Sequence, residues 1–214
     1  MGTNANNIID NMKKLFEELY KTYETKDEKR QKEIMSELEN IYEENKKEIF
    51  VLISYAIGLV NLTLKQETKE EIKETVDKLK EIYEYKENKD NIYIAGNYAG
   101  GLANLTAKQE TKEERKETLE TLEGIYKKNK GNEDVARSYA IGLVNLTLKQ
   151  ETKEEIKETL ETLEGIYKEN KDNKDNIYIA GNYAIGLWNL IVKQETKEER
   201  KETVHKLKEI YEYK

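Results

Sequence analysis

The chain has 214 residues, 38% of them charged, a net charge of −7, and neither cysteine nor proline. This composition excludes disulfides and cysteine metal sites, and the acidity disfavours a nonspecific hold on nucleic acid or an anionic membrane, because phosphate binding needs a local surplus of Lys and Arg. No apolar run approaches the ~18 residues that span a bilayer, and residues 1–14 lack a signal-peptide core, so the expectation is a soluble cytoplasmic protein.

Residues 5–45 read as a divergent first unit. Ile8, Ile9, Met12, Phe16 and Leu19 form an ordinary amphipathic stripe, the pattern of a capping repeat. From there the string Tyr-Ala-x-Gly-Leu-x-Asn-Leu begins at Tyr55, Tyr98, Tyr139 and Tyr183, spaced 43, 41 and 44 residues apart. A fixed period of this size is the signature of a stacked helical array. The expected fold is all-α, a right-handed α-solenoid of about five two-helix repeats forming a single domain over 1–214, with internal-type repeats at 46–87, 88–130, 131–173 and 174–214.

Each repeat predicts two antiparallel helices. In the unit that starts near Asn91, helix A runs to Lys108 and helix B from Lys112 to Asn129. The turn between them has a mechanism: Thr111 and Glu114 form a capping box, repeated as Thr68/Glu71, Thr152/Glu155 and Thr196/Glu199. Polar stretches such as 86–91 and 168–176 read as loops of unequal length. Lys89 to Asn97 returns at Lys174 to Asn182, which suggests growth by duplication of two-repeat blocks.

Helix B carries one apolar stripe, for example Val76, Leu79, Ile82 and Tyr83, with Glu and Lys elsewhere, and reads as an outer layer. Helix A is apolar over about two thirds of its circumference. One polar stripe interrupts it: Ser54, Gly58, Asn61, Lys65; then Asn97, Gly101, Asn104, Lys108; then Ser138, Gly142, Asn145, Lys149; then Asn182, Gly186, Asn189, Lys193. Stacking would align these along a concave surface. The glycines suit either close packing of neighbouring helices or a groove admitting a ligand backbone. The asparagines suit either a ladder between repeats or the amide groups of an extended peptide. Each lysine is a solvated helix end or a charge that favours an acidic ligand.

The four tyrosines face the core arc. Trp188 replaces Val60, Ala103 and Val144 and reads as filling a larger gap in the last unit, with an exposed partner contact as the alternative. His205 falls on a solvent face. With one histidine, no cysteine, no Gly-rich phosphate loop and no His-Glu-x-x-His spacing, no enzyme chemistry, metal or cofactor is expected.

The two-helix unit over residues 50–214 resembles a tetratricopeptide-type solenoid, although its period is longer and the Trp, Leu-Gly and terminal Pro pattern of that family is missing. Gly-Leu-x-Asn-Leu resembles the last helix of an armadillo or HEAT-like repeat, whose period fits better. The armadillo resemblance implies an asparagine ladder at Asn61, Asn104, Asn145 and Asn189 holding an extended peptide. The tetratricopeptide resemblance implies a carboxylate clamp by Lys65, Asn104, Lys108 and Lys149.

The function expected is therefore a non-enzymatic scaffold for a protein or peptide, extended or C-terminal and acidic, held by the stripe from Asn61 and Lys65 through Asn97, Asn182 and Lys193. The alternatives are a structural spacer or oligomerisation module, or the repeat arm of a larger sensor or signalling protein. An RNA-binding repeat is a third, disfavoured by acidity. The last helix, Thr203 to Lys214, nearly repeats Thr75 to Lys86 and lacks a polar cap, which suggests a longer array or self-association through the C-terminal face.

Overall fold

The computed structural model describes residues 2–85, 88, 90–170 and 176–212; the side chains of residues 2–5 and 176 are not described. The expected loops at 86–91 and 168–176 therefore lie partly outside the described residues. Among the described residues the regular structure is all helix: α1 (Gly2–Thr25), α2 (Glu28–Asn45), α3 (Ile49–Thr63), α4 (Lys69–Glu84), α5 (Ile92–Lys108), α6 (Lys112–Lys128), α7 (Glu133–Thr147), α8 (Lys153–Glu169), α9 (Asn176–Lys193) and α10 (Lys197–Glu212). The helices group into two compact units, Met1–Leu105 and Thr106–Lys214. Within each, helix hairpins pack in chain order, a solenoid-like arrangement.

The expected turn chemistry is present. Thr68, Thr111 and Thr152 cap α4, α6 and α8, each accepting from the backbone three residues on while the Glu there reaches back. Thr196 and Glu199 exchange the same two bonds at the start of α10. Gly131 takes φ of 89° in the turn before α7, a conformation that glycine reaches without a Cβ clash. Asn132 then caps α7, accepting from the amides of Asp134 and Val135.

Inside each hairpin a glutamine ends the turn after helix A and donates to a threonine on helix B: Gln66 to Thr75, Gln109 to Thr118, Gln150 to Thr159 and Gln194 to Thr203, at 2.7–2.8 Å. All eight side chains are buried. These bonds fix the two helices of a hairpin at one depth, and burial removes the water that would compete for them.

Between hairpins the joint is aromatic. The helix-A tyrosine packs on the tyrosine that ends the preceding helix B: Tyr83 on Tyr98, Tyr126 on Tyr139 and Tyr167 on Tyr183, with centroids 5.3–5.7 Å apart and rings tilted. Burial pushes the Tyr98 hydroxyl up to about 12, as a phenolate would have to form away from water.

In α1, Met12, Phe16 and Leu19 are buried, as the amphipathic reading of the first unit requires, and Leu15 joins them.

Candidate functional site

The repeated polar stripe of helix A lies on the side that meets the preceding hairpin. Asn104 Nδ2 donates to Thr63 Oγ1 at 2.8 Å, Asn145 to Thr106 at 2.9 Å and Asn189 to Thr147 at 2.8 Å. Each threonine belongs to the preceding helix A, so these asparagines form a ladder from helix to helix. Asn61 is exposed and meets Tyr20, which stands where the later units carry the threonine. Asn97 and Asn182 donate to Tyr93 O and Tyr178 O on their own helices at 2.8 and 2.9 Å.

The glycines serve the same joint. A Cβ on Gly101 would lie 2.6 Å from Leu79 Cδ1, one on Gly142 2.8 Å from Leu119 Cδ2, and one on Gly186 2.6 Å from Leu160 Cδ2. A Cβ on Gly58 would collide with the Phe16 ring. At Gly58 a rigid ring stands in the way, whereas at the other three a leucine tip must shift to admit the carbon. The packing role of these glycines thus offsets the roughly 1 kcal/mol that each costs its helix.

Of the residues expected to contact a ligand, the lysines remain at the surface. Lys65, Lys108, Lys149 and Lys193 are all exposed. Lys65 lies 3.5 Å from Glu24, with both side chains in solvent.

The open face of helix A differs from the expected one. In α9, Asn189, Gly186 and Lys193 fall roughly 100° to one side of the line through Ile185, Trp188 and Val192, and Ala180, Ala184 and Ile191 a similar angle to the other. The middle line faces solvent and is apolar. Trp188 is 61% exposed and fills no internal gap, contrary to the expectation from its bulk. Ile185 and Val192 are exposed beside it. Leu148, just past the end of α7, is also exposed, and in the other unit so are Phe50 and Ile57 on α3 and Leu64 just past its end. Tyr178 joins the surface of α9, and the Arg137 guanidinium of α7 sits over its ring, 5.0 Å from the centroid.

A cleft of about 240 Å³ lies among α8, α9 and α10, lined by Leu160, Glu164, Tyr183, Leu187, Gln194 and Lys206 among others. A second cleft of about 460 Å³, lined by Glu164, Tyr167, Lys168, Tyr183, Lys206 and Glu209 among others, adjoins it and reaches the size range of small-molecule sites. Glu164 accepts hydrogen bonds from Tyr183 at 2.9 Å and Lys206 at 2.8 Å and pairs with Lys168. Partial burial alone would raise its carboxyl, but these donors outweigh burial and hold it at about 2. A carboxyl lowered on folding stabilises the protein above the ordinary value of 4.5 and loses that contribution as pH falls towards 2. Thermal melting followed from about pH 5 to pH 2.5 should therefore fall less in Glu164→Gln than in the parent chain.

No described group of three or more His, Asp or Glu side chains is arranged to hold a metal ion, and no described helix is long and apolar enough to cross a membrane. His205 is exposed and lies 3.8 Å from Glu209. Compared with known proteins, the chain matches no family model, no curated protein and no solved structure.

Proposed function

We propose that this chain is a non-enzymatic scaffold that binds a protein or peptide along the open face of α7 and α9. The carrying observation is the contrast between its two kinds of surface. The outer faces of the B helices are Glu and Lys, whereas the open side of α7 and α9 exposes Leu148, Ile185, Trp188 and Val192. Exposed apolar side chains grouped on one face mark interaction sites more often than singly scattered ones do.

The chemistry of the partner follows from the rim. Lys149 and Lys193 each directly follow an exposed apolar residue: Leu148 and Val192. An amphipathic segment with acidic flanks would bury its apolar side on this line and set its carboxylates beside the lysines. Repeated weak contacts along such a line add within one binding event. The tetratricopeptide- and armadillo-like reading contributes the general form of the partner, an elongated segment. Its grip would come from the apolar line and the lysines, since Asn104, Asn145 and Asn189 already spend an amide donor on threonine.

One observation favours a structural spacer instead: the asparagines and glycines that stand out in the sequence join neighbouring hairpins. A display library of acidic, amphipathic peptides separates the two readings. Peptide capture should be lost in Leu148→Glu/Val192→Glu, with stability within roughly 1 kcal/mol of the parent, because both positions are exposed. Failure of the parent chain to enrich any peptide, or capture that survives both substitutions, would leave the spacer as the better account.

A further inference from the structure

We propose that the cleft of about 240 Å³ among α8, α9 and α10 binds a small organic cation, an aliphatic ammonium or guanidinium, through its N–H groups. The cleft lies between two successive hairpins, and its walls come from residues 157–206. It has three parts. Leu160, Leu187 and Leu190 make an apolar floor, Gln194 supplies a buried oxygen, and Glu161 and Glu202 stand on the two flanking helices.

The oxygen calls for a donor. Gln194 is 4% exposed and ends the turn after α9, where its Nε2 donates to Thr203 Oγ1 at 2.8 Å. That bond fixes the amide, and Oε1 is left buried without a hydrogen-bond partner. A buried acceptor in this state favours a ligand that brings an N–H to it. Gln66, Gln109 and Gln150 carry the same orphaned oxygen but do not line this cleft, so they serve as internal controls.

The charges select the sign of the ligand. Within the lining, Lys206 is held by Glu164 at 2.8 Å, and Glu199 is paired with Lys153. Glu161 and Glu202 then stand against Lys157, all three exposed and without a partner among the described residues. Two carboxylates and a carbonyl oxygen against one ammonium would repel an anion. A neutral alcohol would satisfy Gln194 but neither carboxylate. The carboxylates are not arranged to hold a metal ion, and a hydrated ion would leave the leucine floor uncovered. An alkylammonium meets both kinds of acceptor while its stem lies on the leucines.

The probe is n-butylammonium, titrated into the chain and followed by amide-resolved NMR with the Gln194 side-chain amide as reporter. Butanol, butyrate and sodium chloride are the controls. The expected result is saturable movement of the Gln194 amide and of backbone amides around Leu187 and Leu190, with butanol at least about tenfold weaker and butyrate and salt without effect. Glu161→Gln/Glu202→Gln should weaken binding about tenfold, since both charges are lost from exposed side chains that keep their shape. Gln194→Leu should abolish it. That variant also breaks the bond to Thr203, and Gln150→Leu, which breaks the equivalent bond to Thr159, should still bind. Leu148→Glu/Val192→Glu, on the proposed peptide face, should leave amine binding unchanged, so the two sites fail separately. A capped lysine amide that binds more tightly than butylammonium would assign the cation to a partner's side chain, and weaker binding to a free amine; both uphold the site. Shifts no larger than those with sodium chloride, equal binding of butanol or butyrate, or binding indifferent to the Glu161/Glu202 and Gln194 variants would each overturn the proposal.

Discussion

Gly58→Ala is expected to destabilise the protein by roughly 2–3 kcal/mol even though alanine is the better helix former by about 1 kcal/mol. The new methyl group would enter the space of the Phe16 ring. That ring is itself buried, on a helix packed against α3, so it cannot swing into solvent. At Gly142 and Gly186 the nearest obstacle is the tip of a leucine, at 2.8 and 2.6 Å. A leucine tip yields more readily than a ring, so alanine there should come out near neutral, its helix propensity offset by the crowding. Gly124 and Gly165 supply the opposite sign. They are exposed on α6 and α8 with nothing within 4 Å of an added Cβ, and alanine at either should stabilise by up to about 1 kcal/mol. Thermal melting of the five single variants checks the ordering, with roughly 2–4 °C per kcal/mol for a chain of this length. Gains at all five sites would show that the glycines are not seats for their neighbours.

The asparagine ladder should show the second large effect. Replacing Asn104, Asn145 or Asn189 by alanine removes a donor from a buried or half-buried threonine and is expected to cost about 1–2 kcal/mol at each position. The three bonds share no partner, so the triple variant should lose roughly 3–5 kcal/mol, close to the sum. Asn61→Ala should cost less, because that side chain is exposed. Melting curves of the three single variants, the triple and Asn61→Ala test this directly. The arrangement also bears on binding: loss of a peptide in such variants would reflect a loosened scaffold, whereas loss in Leu148→Glu/Val192→Glu would reflect the contact surface.

How much of this was legible in the sequence depends on which side of helix A is considered. The period, the hairpins and the capping boxes were readable because each rests on local chemistry, such as threonine before a helix and glutamate three residues on. The burial of Tyr55, Tyr98, Tyr139 and Tyr183 followed from helical spacing alone. The direction of the polar stripe did not. Asn104 and Gly101 were open to either a joint with the neighbouring helix or a ligand groove, and their partners, Thr63 and Leu79, come from the preceding hairpin. Spacing within one helix carries no information about which neighbour approaches it.

The open line was hidden for the converse reason. Leu64, Leu148 and Val192 look like core residues to any periodicity, and only the absence of a covering helix marks them as surface. One signal was available. Thr63, Thr106 and Thr147 recur two residues after Asn61, Asn104 and Asn145, and isoleucine takes that place after Asn189 in the last repeat alone. Covariation of Asn and Thr between successive repeats would have revealed the joint. A buried arginine was likewise invisible: Arg115 takes the place of Ile72 and Ile156 and donates to the carbonyls of Gln109 and Asn145. The long aliphatic stem lets it stay buried while its donors find backbone oxygens.

The central claim is that the polar stripe joins hairpins and leaves the apolar line free. A double-mutant cycle on Asn189→Ala and Thr147→Val tests it most directly, with stability measured by chemical denaturation. Thr147 also donates to Val144 O at 2.7 Å, so each single substitution carries costs of its own, and the cycle isolates the pair. A coupling of about 1 kcal/mol is the predicted result. Strict additivity, to within roughly 0.3 kcal/mol, would contradict the joint and return Asn189 to the open face.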